Sequence, residues 1–129
     1  SWGGYSGLSV RFNQSLLDAG FISSLEDNQN LNGQNGDWLY MGFMGIDGKR
    51  LGTQMMISPQ SKREGAGWYT INTSDEPFYY FSPAYIYVKP LGLKKGETFN
   101  LKYRILHIAN ELNKNQLESK FKTYSNYKN

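Results

Sequence analysis

The sequence predicts an all-β antiparallel β-sandwich closed by one short C-terminal helix, and three observations carry that expectation. Aromatic residues make up 16% of the chain, a share that favours strands because broad rings pack well on a pleated surface. Short runs of alternating apolar and polar side chains recur between turn-forming Gly, Pro, Asn and Asp, the pattern of half-buried strands. Helical spacing of apolar residues is legible only near the end of the chain. With 129 residues there is length for one domain and one core, since domains usually hold about 100–150 residues, so residues 1–129 are read as a single domain.

The elements follow in order. Leu8, Val10 and Phe12 alternate with Ser9, Arg11 and Asn13, a strand whose period of two turns Arg11 away from the core. Residues 28–37 are mostly Asn, Gln and Gly with Leu31 as the lone apolar side chain, and read as a solvated loop. Residues 38–46 and 51–57 are two apolar runs flanking Asp47-Gly48, a hairpin signal that predicts a type I′ turn with positive φ at both central residues. Pro59 ends the second strand because it has no N–H to give a ladder.

A second polar loop spans residues 60–67, and residues 68–72 resume as a short strand. Residues 78–81 and, beyond Pro83, residues 85–88 read as two further strands. After the Lys94-Lys95-Gly96 turn, residues 98–108 form the last strand, with Phe99, Leu101, Tyr103, Ile105 and His107 on one face and Arg104 on the other. Leu117, Phe121 and Tyr124 fall at i, i+4 and i+7, the stripe of a short amphipathic helix that needs the sheet to cover. The expected strand order is a meander of six to eight short strands.

Composition excludes several function classes. The formal net charge is +3 (14 basic against 11 acidic residues), and the basic residues are dispersed apart from the pairs Lys49/Arg50, Lys62/Arg63 and Lys94/Lys95. No phosphate-tracking stripe results, so no nucleic-acid partner is expected. The absence of cysteine removes disulfides, cysteine-ligated zinc and a thiol nucleophile. No apolar run approaches the ~18 residues of a spanning helix, so no membrane insertion is expected. The chain opens on Ser1-Trp2-Gly3-Gly4 without a methionine, which favours an exported protein, periplasmic or secreted, whose leader has been removed. A further N-terminal half of the same fold, or a homo-oligomer, would complete such a domain.

Several blocks together carry a family resemblance. Gly7-Leu8-Ser9-Val10-Arg11-Phe12, then Gly36-Asp37-Trp38, Ile57-Ser58-Pro59, Pro90-Leu91-Gly92-Leu93-Lys94-Lys95-Gly96-Glu97-Thr98 and Leu101-Lys102-Tyr103-Arg104-Ile105-Leu106-His107 resemble in order and spacing a bacterial family known as "methane oxygenase PmoA-like", otherwise a domain of unknown function. The resemblance covers nearly the whole chain and corresponds to the C-terminal part of the family domain. It implies a β-sandwich of the galactose-mutarotase type, a supersandwich, in bacteria that degrade polysaccharides. The family's name conflicts with the chain's chemistry, since the membrane methane monooxygenase subunit is helical and embedded in lipid. Where such sequences often carry His-Pro at the end of the second hairpin strand, this chain has Ser58-Pro59, so a site using that histidine is altered or absent here.

Five residues stand out as candidates for a site. His107, the only histidine, has a side chain suited to acid–base work near neutral pH, although its place among apolar neighbours favours a strand-end histidine with a structural hydrogen bond. Arg11 and Arg104 sit mid-strand on non-core faces, where a guanidinium fork can hold a carboxylate or vicinal hydroxyls; pairing with Glu97 or Asp37 is the simpler alternative. Trp68 and Tyr69, with Trp38, Tyr79, Tyr85 and Tyr87, are candidates for a sugar-stacking platform, and Trp68 beside Gly65-Ala66-Gly67 is the ring expected to be most exposed. Paired carboxylates for glycoside hydrolysis could come only from loops. No metal site and no cofactor are expected.

The leading expectation is an uncharacterised carbohydrate-associated domain that binds a glycan or holds part of a site. The alternatives are an enzyme acting on a sugar or uronate, a hydrolase, lyase or epimerase with Arg11, Arg104 and His107 converging, and a structural or interaction module pairing through an open sheet edge.

Overall fold

The computed structural model describes residues 3–73 and 75–127. Ser1, Trp2, Ser74, Lys128 and Asn129 lie outside the described residues, and with them the start of the Ser1-Trp2-Gly3-Gly4 opening. The elements are β1 (Val10–Asn13), β2 (Leu17–Ser23), β3 (Trp38–Met44), β4 (Arg50–Ile57), a single 3-10 turn (Pro59–Ser61), β5 (Gly67–Ile71), β6 (Phe78–Ala84), β7 (Tyr103–Ile108) and α1 (Lys114–Ser125). They build two antiparallel sheets, ordered β1-β6-β5 and β2-β3-β4-β7. The expected antiparallel β-sandwich with one C-terminal helix is therefore what the chain forms. Its order is not the expected meander, because the chain changes sheet after β1, after β4 and after β6.

The two sheets meet through side chains at every second position. Leu39, Met41 and Phe43 of β3, Met55 and Ile57 of β4, Trp68 of β5 and Phe81 of β6 form the core between them, with Leu31 inserted from the loop before β3. The alternate residues Trp38, Tyr40 and Met56 face the other way, onto Leu117 and Phe121 of α1. The apolar run of β3 is continuous because both of its faces are covered, one by a sheet and one by a helix. Burying Leu117 and Phe121 stabilises this layer by about 1.5–3 kcal/mol each. The helix starts at a capping box: Asn113 Oδ1 accepts from Gln116 N at 2.9 Å, and Asn113 N donates to Gln116 Oε1 at 3.0 Å.

Four local expectations need correction. In the β3–β4 hairpin only Gly48 has positive φ (76°), and Gly48 N donates to Gly45 O at 3.0 Å while Gly45 N donates to Lys49 O at 2.9 Å. The connection is thus a three-residue loop with one left-handed glycine rather than a type I′ turn, and Asp47 serves instead by accepting from Lys49 N at 3.2 Å.

Residues 78–81 and 85–88 are not two strands. β6 runs straight through Pro83 to Ala84, and residues 85–88 form turns and bends. Pro83 is tolerated because β1 starts at Val10, opposite Phe81, so β6 has outrun that neighbour and needs no N–H on that side.

The last strand begins at Tyr103, not Thr98. Its partner β4 ends at Ile57, opposite Tyr103, just before Pro59, which leaves residues 98–102 without a ladder; Phe99 stacks on Tyr85 at 5.1 Å instead.

Strand β2 has no counterpart among the sequence expectations. Its register shifts between Leu17 and Gly20, and Asp18 has φ 50°, so a bulge breaks the alternation that would have marked it. Among the described residues no helix is long and apolar enough to cross a membrane.

Candidate functional site

The five residues nominated from the sequence do not converge. Arg11 pairs with Tyr80 across β1 and β6, on the outer face of the three-stranded sheet, with its guanidinium 3.7 Å from the Phe78 ring centre. Arg104 pairs with Met56, on the helix side of the other sheet, 4.6 Å from the centre of Tyr124. The two cations therefore occupy opposite outer faces of the sandwich. Neither pairs with the expected acids: Asp37 binds Lys62 at 2.5 Å, and Glu97 accepts from Lys94 N at 2.8 Å.

His107 lies opposite Thr53 on the inward face of β7, where its Nδ1 and the threonine Oγ1 share a 3.0 Å hydrogen bond. It is exposed, at the mouth of an open cleft of about 300 Å³ whose other walls are chiefly Phe12, Phe43, Leu51 and Ile108. No carboxylate lines that cleft among the described residues, and the polar partner of the imidazole there is the Thr53 hydroxyl.

Trp68 is not an exposed platform. It is 1% exposed and belongs to the core between the sheets, because β5 places Trp68 and Thr70 inward and Tyr69 outward. Trp38 is also fully buried, its indole N–H given to Glu118. Tyr69 does reach the outer face, packed against Tyr5 at 5.2 Å, Tyr80 at 5.5 Å and Tyr87 at 6.1 Å. Its hydroxyl is pushed up to about 12, first by burial and then by the hydrogen bond to Tyr5. Because these rings pack edge-on or tilted, they fill one another's faces and leave no flat stacking surface.

The polar site that the fold builds lies elsewhere, between the edges of the two sheets. A hollow of about 450 Å³ has Phe21 of β2 and Leu31 as its apolar floor and Asn28, Gln29, Asn32, Thr70, Asn72 and Thr73 as its walls. Its amides are held in place. Asn28 Oδ1 accepts from Ser23 N at 2.7 Å and Ser23 Oγ at 2.8 Å. Asn32 Oδ1 accepts from Thr70 N at 2.7 Å and Thr70 Oγ1 at 2.9 Å. Asn72 Nδ2 donates to Ala19 O at 3.4 Å, from one sheet to the other.

The loop carrying Asn28 to Asn32 is seated by backbone as well. Gly33 N donates to Trp68 O at 2.8 Å and Trp68 N to Gln34 O at 2.9 Å, and Asn32 forms a parallel bridge with Trp68. The loop covers the free edge of β5 as an extra strand would. This approach needs two glycines, since a Cβ on Gly67 would stand 2.7 Å from the Gly33 carbonyl carbon, and Gly33 itself has φ 82°. Beside the hollow, Asp27 accepts from Asn30 Nδ2 and Gln29 N, and those bonds, the Asn30 one first, lower its carboxyl pKa.

Three groups in the walls retain uncommitted hydrogen-bonding atoms among the described residues: Asn28 Nδ2, the Gln29 amide and Asn72 Oδ1. Among the described residues no ionisable side chain lines the hollow, and no group of three or more His, Asp or Glu side chains able to hold a metal ion occurs. These residues are hard to single out from sequence, because an Asn/Gln/Gly-rich stretch has the composition of a solvated loop. The available signal was Leu31, an isolated apolar residue amid six amides, Asn28, Gln29, Asn30, Asn32, Gln34 and Asn35: a loop that buries such a residue must fold back on the sheet, and its amides go with it.

Neither the curated proteins nor the solved structures contain a match to the chain. The model of the Family of unknown function (DUF6807) matches residues 3–122, nearly the whole length, and the chain belongs to that family.

Proposed function

We propose that this domain binds a neutral saccharide in the amide-lined hollow between β2 and β5. The observation that carries the reading is the set of asparagines fixed over an aromatic floor: Asn28 by Ser23, Asn32 by Thr70 and Asn72 by Ala19, beside Phe21. A sugar hydroxyl donates and accepts at once, as a carboxamide does, and the C–H face of a pyranose packs on an aromatic ring. Amides already held by the fold lose little freedom on binding, which favours affinity. The lack of an ionisable wall selects against charged ligands, because a charge buried there would go unpaired.

Binding rather than hydrolysis is the part of the reading that the lining supports. Glycoside cleavage needs two carboxylates flanking the bond, about 5–10 Å apart; none is among the lining residues, and Asp27, next to Asn28 in the chain, is committed to Asn30 and Gln29. The resemblance to PmoA-like sequences, with its link to polysaccharide-degrading bacteria, points the same way.

The test is affinity electrophoresis and calorimetry of the whole chain against neutral oligosaccharides. Retention by at least one neutral glycan is expected, weakened roughly tenfold in Gln29→Ala and Asn72→Ala, each removing about one hydrogen bond from the ligand, with the melting temperature unchanged in Gln29→Ala, whose side chain makes no bond within the described residues. Retention that persists undiminished in both variants, or no retention across a broad neutral panel, rejects the proposal.

A further inference from the structure

A second hollow, at the end of α1, carries unneutralised positive charge. Of the four arginines, Arg50 donates to Asp18 Oδ2 at 2.7 Å and Glu111 Oε1 at 3.4 Å. Arg63 donates to the carbonyls of Tyr85, Lys89 and Pro90 at 2.7–2.8 Å. Arg11 is open to water above Phe78. Arg104 differs from all three: it is half-buried, its guanidinium lies 4.6 Å from the ring centre of Tyr124 and 5.8 Å from that of Tyr127, and among the described residues it has no hydrogen-bond acceptor.

The guanidinium borders a pocket of about 70 Å³ that it shares with Lys102, Ser58, Gln60, Tyr124 and Ser125. Lys102 likewise has no side-chain partner among the described residues, and its backbone is pinned by Lys102 N donating to Ser61 Oγ at 2.7 Å and by Ser58 N donating to Lys102 O at 3.0 Å. Ser58 Oγ donates to Gln60 Oε1 at 3.2 Å, which commits the oxygen of that amide and leaves its N–H groups to donate. No carboxylate lines the pocket among the described residues. The negative end of the α1 dipole lies alongside, yet it amounts to only about half a charge against two whole cations.

We infer that this pocket is a binding site for a single oxyanion group, the carboxylate, sulfate or phosphate of a larger ligand, gripped by Arg104 and Lys102 with the Gln60 amide. A guanidinium packed beside two rings has few rotamers open to it, and its planar set of N–H donors suits it to a fork around two anionic oxygens. The pocket has room for an oxyanion head beside the two cations, and the rest of the ligand extends from it. The site is independent of the amide-lined hollow, whose walls carry no charge.

The experiment is a ¹H–¹⁵N NMR titration of the whole chain at constant ionic strength with sodium sulfate, sodium phosphate or sodium glucuronate, with sodium chloride as the control. Saturable shifts of the Arg104 Nε–H and Gln60 side-chain signals are expected from at least one oxyanion and not from chloride. Whichever saturates at the lowest concentration identifies the source. Arg104→Gln should weaken binding roughly tenfold or more, as loss of a charge-assisted hydrogen bond implies, and Lys102→Ala, at an exposed position, should weaken it with the fold untouched. Signals of Asn32 and Asn72 should stay still. Shifts that rise linearly, match those from chloride, or survive in Lys102→Ala at full strength would reduce the effect to ionic screening and overturn the inference.

Discussion

Trp38 donates its indole N–H to Glu118 Oε2 at 2.7 Å, joining a fully buried strand residue to the helix 80 positions further along the chain. The bond answers a specific need, since a tryptophan buried between sheet and helix has one donor and no water to give it to. Replacing Glu118 with Ala leaves that donor unpaired and should cost about 1–3 kcal/mol in urea denaturation. Glu118→Gln keeps an acceptor and should recover most of the loss. Equal midpoints for the wild type and Glu118→Ala would show the bond to be immaterial.

Trp68→Ala should destabilise the domain by about 3–5 kcal/mol, the range for truncating a large buried aromatic, a sizeable part of the ~5–15 kcal/mol that holds typical domains together. The position lies in the core between the sheets, so the variant reports on packing and not on ligand stacking. A variant that melts like the wild type while losing ligand would restore the platform reading.

Gly67→Ala tests how the amide-bearing loop is seated. The added methyl meets the Gly33 backbone at 2.7–2.8 Å, and backbone cannot swing aside as a side-chain tip can. A destabilisation of about 1–3 kcal/mol is expected from such overpacking, with faster amide exchange at Gly33 and Trp68, whose N–H groups make the two seating bonds. Exchange unchanged at both positions would mean that the loop does not depend on this close approach.

Tyr103 predicts alkaline behaviour. Burial, and secondarily the nearby Tyr85, push its hydroxyl up from the ordinary 10 to about 12. Between these two values the unfolded chain has released a proton that the folded chain still holds. Stability from this group is therefore complete below about pH 10 and falls as pH rises towards about 12. Urea midpoints measured from neutral to strongly alkaline pH should decline across that window, and Tyr103→Phe should make the decline shallower. An identical decline in the variant would place its origin in other tyrosines.

Period-two alternation was enough to mark β1 and the register of β7 from Tyr103 onward, and the faces it assigned to Arg11, Arg104 and His107 are those the fold uses. It could not show that a face of one sheet and a face of the other point in opposite directions, which is why Arg11 and Arg104 looked like a pair and stand on opposite sides. Burial of Trp68 is hidden from the sequence for a related reason: neighbouring glycines suggest an open loop, but Gly67 lets the backbone of Gly33 come close, and Gly36 lies against the indole N–H. The bulge at Asp18 hid β2 because one extra residue breaks the pattern by which a strand is recognised.

By itself the sequence determined the fold class, the β3–β4 hairpin, the amphipathic C-terminal helix and the direction in which alternating side chains point, all of which follow from local periodicity and turn chemistry. Only the tertiary structure decided which residues share a site. Asn28, Asn32 and Asn72 become neighbours because the loop folds onto β5 and the two sheet edges close around Phe21, and Lys102 meets Tyr124 because α1 packs back across the sheet. Such meetings rest on contacts between residues distant along the chain, and a pattern that repeats every two or every 3.6 residues carries no record of them.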